Sequence, residues 1–370
     1  MKKRIRVAFA VNDFLVGGVQ RLYLDLFETL SPQEFEIHLV TLMRFPEKRE
    51  LYGSIPRHVI VHQLDFKSFH DLRAWRRCVR ELSRMRPDVV VSSLFFSNTV
   101  LRVLQPFLRY RVIAIEQNTY IAKTRLQIML DRLLAHLTYR IVAVSATVLA
   151  FTQAQESIPA EKFILIRNGI DLSRTRGSAS TADPEGLRRE FGLSASDRVV
   201  LNVARLTEQK NQRALIEAFA VFGKEHPEYK LVIVGEGTLK LSFERLIERH
   251  NARRFIILTG VREDIASFYA LADFLVSTSF IEGMSIAQME ALANGVPLLA
   301  TRTAGTDEMI EEGVNGYFIS APDAVSIQNG LEKMANADRG AMRTAARISA
   351  KQFDMQETAR AYAALIRESL

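Results

Sequence analysis

Short runs of unbroken apolar residues alternate along the chain with longer stretches in which apolar residues recur at helical spacing. In the first half the runs Arg4–Val11, Glu36–Leu42, Val59–Leu64, Asp88–Ser92, Arg111–Glu116, Arg140–Val144 and Phe163–Ile166 predict strands. In the second half Arg198–Ala204, Lys230–Gly235, Phe255–Thr259, Asp273–Ser277, Pro297–Thr301 and Gly316–Ile319 do the same. Continuous rather than alternating apolar character is the mark of parallel strands covered on both faces. Helices between such strands imply βαβ crossovers, hence an α/β chain of doubly wound sheets. Residues Leu172–Gly186 are rich in Ser, Thr, Ala and Gly, lack a hydrophobic period and predict a linker. The expected organisation is a Rossmann-like domain over residues 1–171, a second over 172–345, and a helical segment over 346–370 that can cross back to the first domain. A ligand-binding cleft between the two domains is expected.

Composition narrows the class. The chain has 370 residues, 48% hydrophobic and 25% charged, enough for two globular cores. No apolar run reaches the roughly 18 to 20 residues a membrane-spanning helix needs. Met1-Lys2-Lys3-Arg4 followed by Ile5–Val11 imitates a signal peptide, but Arg6 interrupts the apolar stretch, Asn12-Asp13 ends it, and no small-residue cleavage pattern follows. A single cysteine, Cys78, leaves no internal disulfide and no cysteine metal cluster, so a reducing cytoplasm is the expected location. Residues 1–170 hold 25 Lys and Arg against 15 Asp and Glu, a balance of +10; the rest hold 24 against 27, a balance of −3, which together make the net +7. Halves of different charge suggest different partners.

The most informative chemistry lies in Glu282-Gly283-Met284-Ser285-Ile286-Ala287-Gln288-Met289-Glu290. Ser285 is placed as an N-cap, and Asn294-Gly295 followed by Pro297 closes the helix. A strand, a loop and a helix start form a cradle for an anion, because free N–H groups and the positive dipole end face the ligand. One acid before the helix and one inside it suit hydroxyl groups flanking a diphosphate, the shape of a sugar nucleotide. Arg205 after the strand Arg198–Ala204 and Lys210 five residues on would neutralise that diphosphate at the carboxyl edge of the second sheet, where doubly wound folds bind ligands. Gly17-Gly18 after the first strand permits close backbone approach and positive φ. Gly260-Val261-Arg262 offers backbone to a flat base. The dinucleotide fingerprint G-x-G-x-x-G is absent after the first strand, Gly235-Glu236-Gly237 supplies G-x-G only, and no Walker-type lysine motif occurs.

Taken in order, Gly17-Gly18, Asn168-Gly169-Ile170-Asp171, Arg205 with Lys210, Gly235-Glu236-Gly237, Glu282-x7-Glu290 and Asn315-Gly316 resemble the retaining glycosyltransferases of family 4, which have the GT-B fold: two Rossmann-like domains facing a central cleft. The resemblance spans residues 4 to 345. It implies a nucleotide-sugar donor, UDP-linked in the first instance, held by the second domain. Arg205 and Lys210 would contact the diphosphate and with Glu282 carry the chemistry. Glu282 would bind sugar hydroxyls and Glu290 the ribose. Backbone at Gly283, Met284 and Ser285 would face sugar and phosphate, Gly260, Val261 and Arg262 the base, and Gly17 and Gly18 the diphosphate. No metal and no other cofactor are implied.

Two positions depart from the family pattern. Where a histidine is common, the run is Glu116-Gln117-Asn118; Gln117 donates and accepts hydrogen bonds but cannot serve as a base. Gln20 stands where a glutamate is common. Gln117 and Asn118 are the acceptor-side candidates. His70–Arg86 reads as a basic amphipathic helix with the stripe Leu72, Trp75, Val79, Leu82 and Met85, and Tyr120–Arg140 as a second apolar pattern carrying Lys123, Arg125, Arg132 and Arg140. Both suit an anionic membrane surface. The expectation is a retaining transferase that moves a hexose or N-acetylhexosamine to a lipid-linked or cell-surface polysaccharide acceptor on the inner face of the cell membrane. A non-catalytic GT-B scaffold and a transferase with a soluble acceptor are the alternatives. Nucleic acid is not an expected partner, since the basic residues are not interleaved with stacking aromatics.

Overall fold

The computed structural model describes residues 3–15, 17–44 and 51–370. Met1, Lys2 and Val16, which the sequence places in the lead-in to the first strand and the loop after it, lie outside the described residues. The chain divides into two compact units, residues 1–169 with 355–370 and residues 170–354.

The first unit opens with β1 (Ile5–Val11), α1 (Gly18–Thr29), β2 (Phe35–Thr41), β3 (Ile60–Gln63), α2 (Leu72–Met85) and β4 (Val89–Ser93). It continues with α3 (Phe95–Leu108), β5 (Arg111–Glu116), α4 (Arg125–Leu134), β6 (Arg140–Ala143), α5 (Ala146–Glu156) and β7 (Phe163–Leu165). The second unit runs through α6 (Leu172–Ser180), α7 (Pro184–Phe191), β8 (Arg198–Val203), α8 (Gln212–Glu225), β9 (Tyr229–Val234), α9 (Lys240–Arg249) and β10 (Ile256–Gly260). Then come α10 (Ile265–Leu271), β11 (Phe274–Ser277), α11 (Ile286–Ala293), β12 (Leu298–Thr301), β13 (Gly316–Ile319), α12 (Ala324–Ala335) and α13 (Arg339–Ser349). Helix α14 (Met355–Glu368) returns to the first unit. Every strand expected from the apolar runs is present, with ends displaced by at most one residue.

Both sheets are parallel and share one order. The first is β3-β2-β1-β4-β5-β6-β7 and the second β10-β9-β8-β11-β12-β13. The central strands are apolar on both faces because helices cover both: Val7 to Val11, Val89 to Val91 and Leu231 to Ile233 are fully buried. The same device secures the amino ends of both sheets. Asp88, before β4, accepts from the Arg6 N–H at 2.8 Å, and Asp273, before β11, accepts from the Val199 N–H at 2.8 Å. An aspartate thus locks the register of the pair that flanks each topological switch point.

The expected linker is not one. Residues 172–180 form α6, and α7 follows with Pro184 in its first turn and the Asp183 carboxylate capping the Gly186 N–H at 2.7 Å. Asp183 N–H also donates to Ser267 Oγ at 3.0 Å, tying the segment to α10. Small polar residues here supply caps and close packing, which a search for apolar periodicity passes over.

The stripe expected on α2 is also corrected. The buried face is Ala74, Cys78, Leu82 and Met85, whereas Leu72 is 71% exposed and Val79 is exposed too. Small Ala74 and Cys78 let the helix lie close to the sheet; of the expected stripe, Leu82 and Met85 are buried and Trp75 packs against the core, while Leu72 and Val79 turn outward. Helix α4 carries a second outward apolar stripe, Leu126, Met129 and Leu133, with Ile121 just before it. Among the described residues no helix is long and apolar enough to cross a membrane. Helix α14 packs on α1. It buries Tyr362 and Ile366, donates from Thr358 Oγ1 to the Arg167 carbonyl at 3.0 Å and pairs Arg367 with Glu34.

Candidate active site

In the second unit β8 and β11 lie side by side at the point where the strand order reverses, the place where doubly wound sheets bind ligands. Strand β8 runs into Arg205 and a 3₁₀ turn, Glu208–Lys210; β11 runs into the loop that ends at α11. The two loops are stitched together. Phe280 N–H donates to the Gln209 carbonyl at 2.9 Å, Gln209 Nε2 to the Ile281 carbonyl at 2.9 Å, and Thr278 Oγ1 to the Lys210 carbonyl at 3.1 Å. This brings Lys210 Nζ onto Glu282 Oε1, which also accepts from Ser279 Oγ at 2.9 Å. The side chains of Lys210 and Glu282 are 16% and 12% exposed. Arg205 is exposed on the same edge and has no ion-pair partner among the described residues. Its carbonyl is held by the fully buried Gln212, Nε2 to O at 3.0 Å.

Helix α11 carries the rest of the motif. Ser285 occupies its N-cap, but the hydroxyl makes no capping bond, so the first-turn N–H groups are not tied to their own cap residue. Gly283 and Met284 are buried. A Cβ at Gly305 would run into the Gly283 carbonyl, so only glycine lets the loop after β12 close on this segment. Glu290 Oε2 accepts from the hydroxyl of Tyr269 at 3.0 Å. On the far side of the edge, Gly260 ends β10 with φ +76°, the left-handed region open to glycine. The Glu236 carboxylate lies beside it. The Arg262 guanidinium is already committed, gripping Glu190 at 2.6 and 3.0 Å and Asp264 at 2.8 Å. The backbone of this segment and the exposed Val261 are left for a base.

Gly17, Gly18, Gln117 and Asn118 belong to the first unit. Gly17 is the N-cap of α1 with φ −174°, and neither glycine takes the positive φ that the pair permits. Gln20, buried, donates from Nε2 to the Asp13 carbonyl at 3.1 Å and ties the loop to α1. Gln117, at the carboxyl end of β5, is buried and accepts from Asn168 Nδ2 at 3.3 Å.

Beneath Gln117 lies a charge cluster that the sequence did not announce. Lys123 Nζ touches Glu156, lies 2.8 Å from Asp131 and 3.8 Å from Glu116, and is 6% exposed. Arg102 meets Asp131 at 2.5 Å. Burial pushes Glu116 up; burial, followed by the Glu116 charge, pushes Glu156 up to about 7. Burial opposes the charge on Lys123, but the three carboxylates outweigh it and raise its pKa. Lys123 is therefore not a surface cation. Arg140 pairs with Glu368, which leaves Arg125 and Arg132 as the exposed cations of the α4 region.

Tyr269, Gln209 and Gln212 were missed by sequence reasoning, while Asn168 entered only as part of a motif and Lys123 only as a membrane-facing cation. Lys123 and Tyr269 sit in no motif. Gln209 and Gln212 flank Lys210 closely enough for helix-start chemistry to have raised them.

Two family models match in succession: "Glycosyltransferase Family 4" over residues 16–174 and "Glycosyl transferases group 1" over residues 184–353. The chain is 31% identical over 166 residues to "Putative glycosyltransferase EpsD" of Bacillus subtilis, a match covering 45% of this chain and 43% of that protein. It is 23% identical over 332 residues to "Alpha-monoglucosyldiacylglycerol synthase" of Acholeplasma laidlawii, covering 83% and 82%. Among solved structures, HepE of Anabaena in complex with UDP-glucose superposes with a TM-score of 0.82 at 19% identity, over 99% of this chain and 100% of that one. That likeness carries the GT-B fold. With both halves matched in order on that fold, the chain belongs to the family 4, group 1 glycosyltransferases.

Proposed function

We propose that the protein is a retaining glycosyltransferase that moves a hexose or N-acetylhexosamine from a nucleotide diphosphate sugar, with UDP the first choice, to a sugar hydroxyl of a lipid-linked or cell-surface polysaccharide acceptor. The observation that carries this reading is the contact of Lys210 with Glu282 beside the exposed Arg205, at the switch point of the second sheet. The HepE complex, whose bound ligand is UDP-glucose, and the lipid product in the name of the Acholeplasma relative support the donor and acceptor classes.

In the resting pair Lys210 is neutralised by Glu282. An arriving diphosphate offers Lys210 and Arg205 a stronger anion, and Glu282, released, accepts hydrogen bonds from sugar hydroxyls. As the glycosidic bond breaks, negative charge grows on the departing phosphate, where the two cations and the amides at the start of α11 stabilise it. Retention suits a site with Gln117 in place of a base, because the departing phosphate oxygen can take the acceptor proton from the same face. The cations replace a metal, so transfer is metal-independent. Glu290 receives the ribose. Gly17 and Gly18, Gln117 and Asn118, and the backbone of Gly260, Val261 and Arg262 remain the other donor- and acceptor-side candidates. The exposed Leu72 and Val79 of α2 and the α4 stripe, with Arg73, Arg76, Arg80, Arg125 and Arg132 around them, suit an anionic bilayer on the cytoplasmic face.

A thermal-shift panel of UDP-, GDP- and ADP-linked sugars, followed by assay of released nucleoside diphosphate, tests the donor. UDP-sugars should stabilise the wild type, and Lys210→Ala and Glu282→Ala should fold yet release nucleoside diphosphate about 10²- to 10³-fold more slowly. Wild-type turnover by either variant ends the reading. Failure to co-sediment with anionic vesicles at low salt ends its membrane part.

A further inference from the structure

Glu282 has two partners in the site, and both hold the same oxygen: Lys210 Nζ and Ser279 Oγ meet on Oε1, the serine at 2.9 Å. Oε2 has no hydrogen-bond partner among the described residues. The two holds differ in permanence. Lys210 is kept in place through its backbone, whose carbonyl accepts from Thr278 Oγ1 at 3.1 Å, and its ammonium has Glu282 as its ion-pair partner. A diphosphate can draw that ammonium away without disturbing the loop. Ser279 is 3% exposed, and the peptide that joins it to Phe280 is bonded at both ends. Thr301 Oγ1, at the end of β12, donates to the Ser279 carbonyl at 2.6 Å, and the Phe280 N–H donates to the Gln209 carbonyl at 2.9 Å. The serine is therefore fixed from β12 on one side and from the loop after β8 on the other. We propose that Ser279 is the positioning residue for Glu282 and keeps the acid aimed after a bound ligand has opened the Lys210–Glu282 pair.

The inference rests on the reading of Glu282 as the acid for sugar hydroxyls and adds how that acid keeps its direction once its cation has left. A glutamate released from a lysine regains the freedom of its side-chain torsions, and ordering it again would subtract from the binding of the sugar. The Ser279 hydroxyl prevents this. Its bond to a carboxylate is charge-assisted, hence stronger than one between neutral groups. It keeps Oε1 occupied by one donor while Oε2 stays open to a hydroxyl of the ligand. Burial shields the serine from the phosphate oxygens that draw off Lys210, whose side chain is 16% exposed. The lysine supplies a charge that moves to the ligand, and the serine a donor that stays.

The test is calorimetric binding of two ligands: the sugar nucleotide that gives the largest thermal shift among the UDP-, GDP- and ADP-linked sugars, and its parent nucleoside diphosphate. Ser279→Ala removes one oxygen and leaves Lys210 on Glu282, so without ligand it should unfold near the wild-type temperature. It should weaken the sugar nucleotide by roughly 3- to 10-fold, the worth of a hydrogen bond, and leave the nucleoside diphosphate unchanged. Glu282→Ala should lower the affinity for the sugar nucleotide relative to the diphosphate at least as far, and S279A/E282A no further than E282A alone. Ser279→Cys keeps the shape with a weaker donor and should fall between wild type and S279A, which covers the case in which S279A folds poorly. If S279A binds the sugar nucleotide as tightly as wild type, weakens both ligands equally, or adds its loss to that of E282A, the positioning role is overturned. If E282A leaves the relative affinity unchanged, or no nucleotide of the panel binds, the donor-site reading falls as well.

Discussion

Lys123 and Lys210 both face carboxylates, and they teach opposite lessons. Lys123 sits near the Gln117 loop of the first unit with Glu116, Asp131 and Glu156 around it and Arg102 behind Asp131. Lys210 sits at the switch point of the second unit against Glu282. The first ensemble is sealed, and its charges satisfy one another while joining α3, α4, α5 and β5. The second is half open, and its lysine has a single acid that a doubly charged ligand can outbid. Ion pairing serves architecture in one place and readiness in the other. What separates them is the number of partners and the access of water, not the chemistry of the groups.

The comparison can be broken at several points. The largest effect should follow Lys210→Ala or Glu282→Ala, each expected to cut transfer by about 10²- to 10³-fold with little change in thermal unfolding. Turnover within a few-fold of wild type would make this pair as architectural as the other. Lys123→Met should act in reverse. Removing the cation leaves three carboxylates buried together, at a cost of roughly 3–5 kcal/mol in stability, read as a fall in unfolding temperature. A loss under about 1 kcal/mol, the value of an exposed pair, would show that the cluster is not sealed.

A smaller, sharper effect concerns pH. Glu116 and Glu156 are held above their ordinary carboxylate values, Glu156 at about 7, so the folded chain binds more protons than the unfolded one between pH about 4.5 and 7. The stability they contribute is present at the acid end and fades as pH rises through about 7. His38 and His62, lowered first by burial, pull the other way, losing stability as pH falls below about 6.5. The difference between wild type and Glu156→Gln isolates the cluster. The variant should lose much of the decline between pH 5 and 8, and an unchanged slope would place the extra proton elsewhere. The smallest effect is expected from chelation. EDTA should leave transfer unchanged if Arg205 and Lys210 meet the diphosphate as proposed; abolished activity restored by a divalent ion would contradict that.

The fold was legible because parallel strands covered on both faces leave continuous apolar runs, here too short for buried helices. The linker was misread because α6 and α7 depend on Asp183, Pro184 and close packing instead of an apolar period. The stripe on α2 was misread because Ala74 and Cys78 were outweighed by the larger Leu72 and Val79, although the sheet needed the smaller pair. In the candidate site, Lys210 and Glu282 are 72 residues apart in sequence. They were linked by the known topology of doubly wound sheets, which puts the first and fourth strands side by side. No such rule reaches Tyr269 or Lys123, whose partners are chosen by helix packing that a linear pattern does not record.

Helix α14 follows the whole second unit in sequence yet completes the first. During synthesis the second unit can close on a continuous stretch of chain as soon as it leaves the ribosome. The first must wait, with the face of α1 that takes Tyr362 and Ile366 still bare, until nearly two hundred further residues have been made. The half that emerges first is therefore the half that matures last, and chaperone engagement during translation should centre on it.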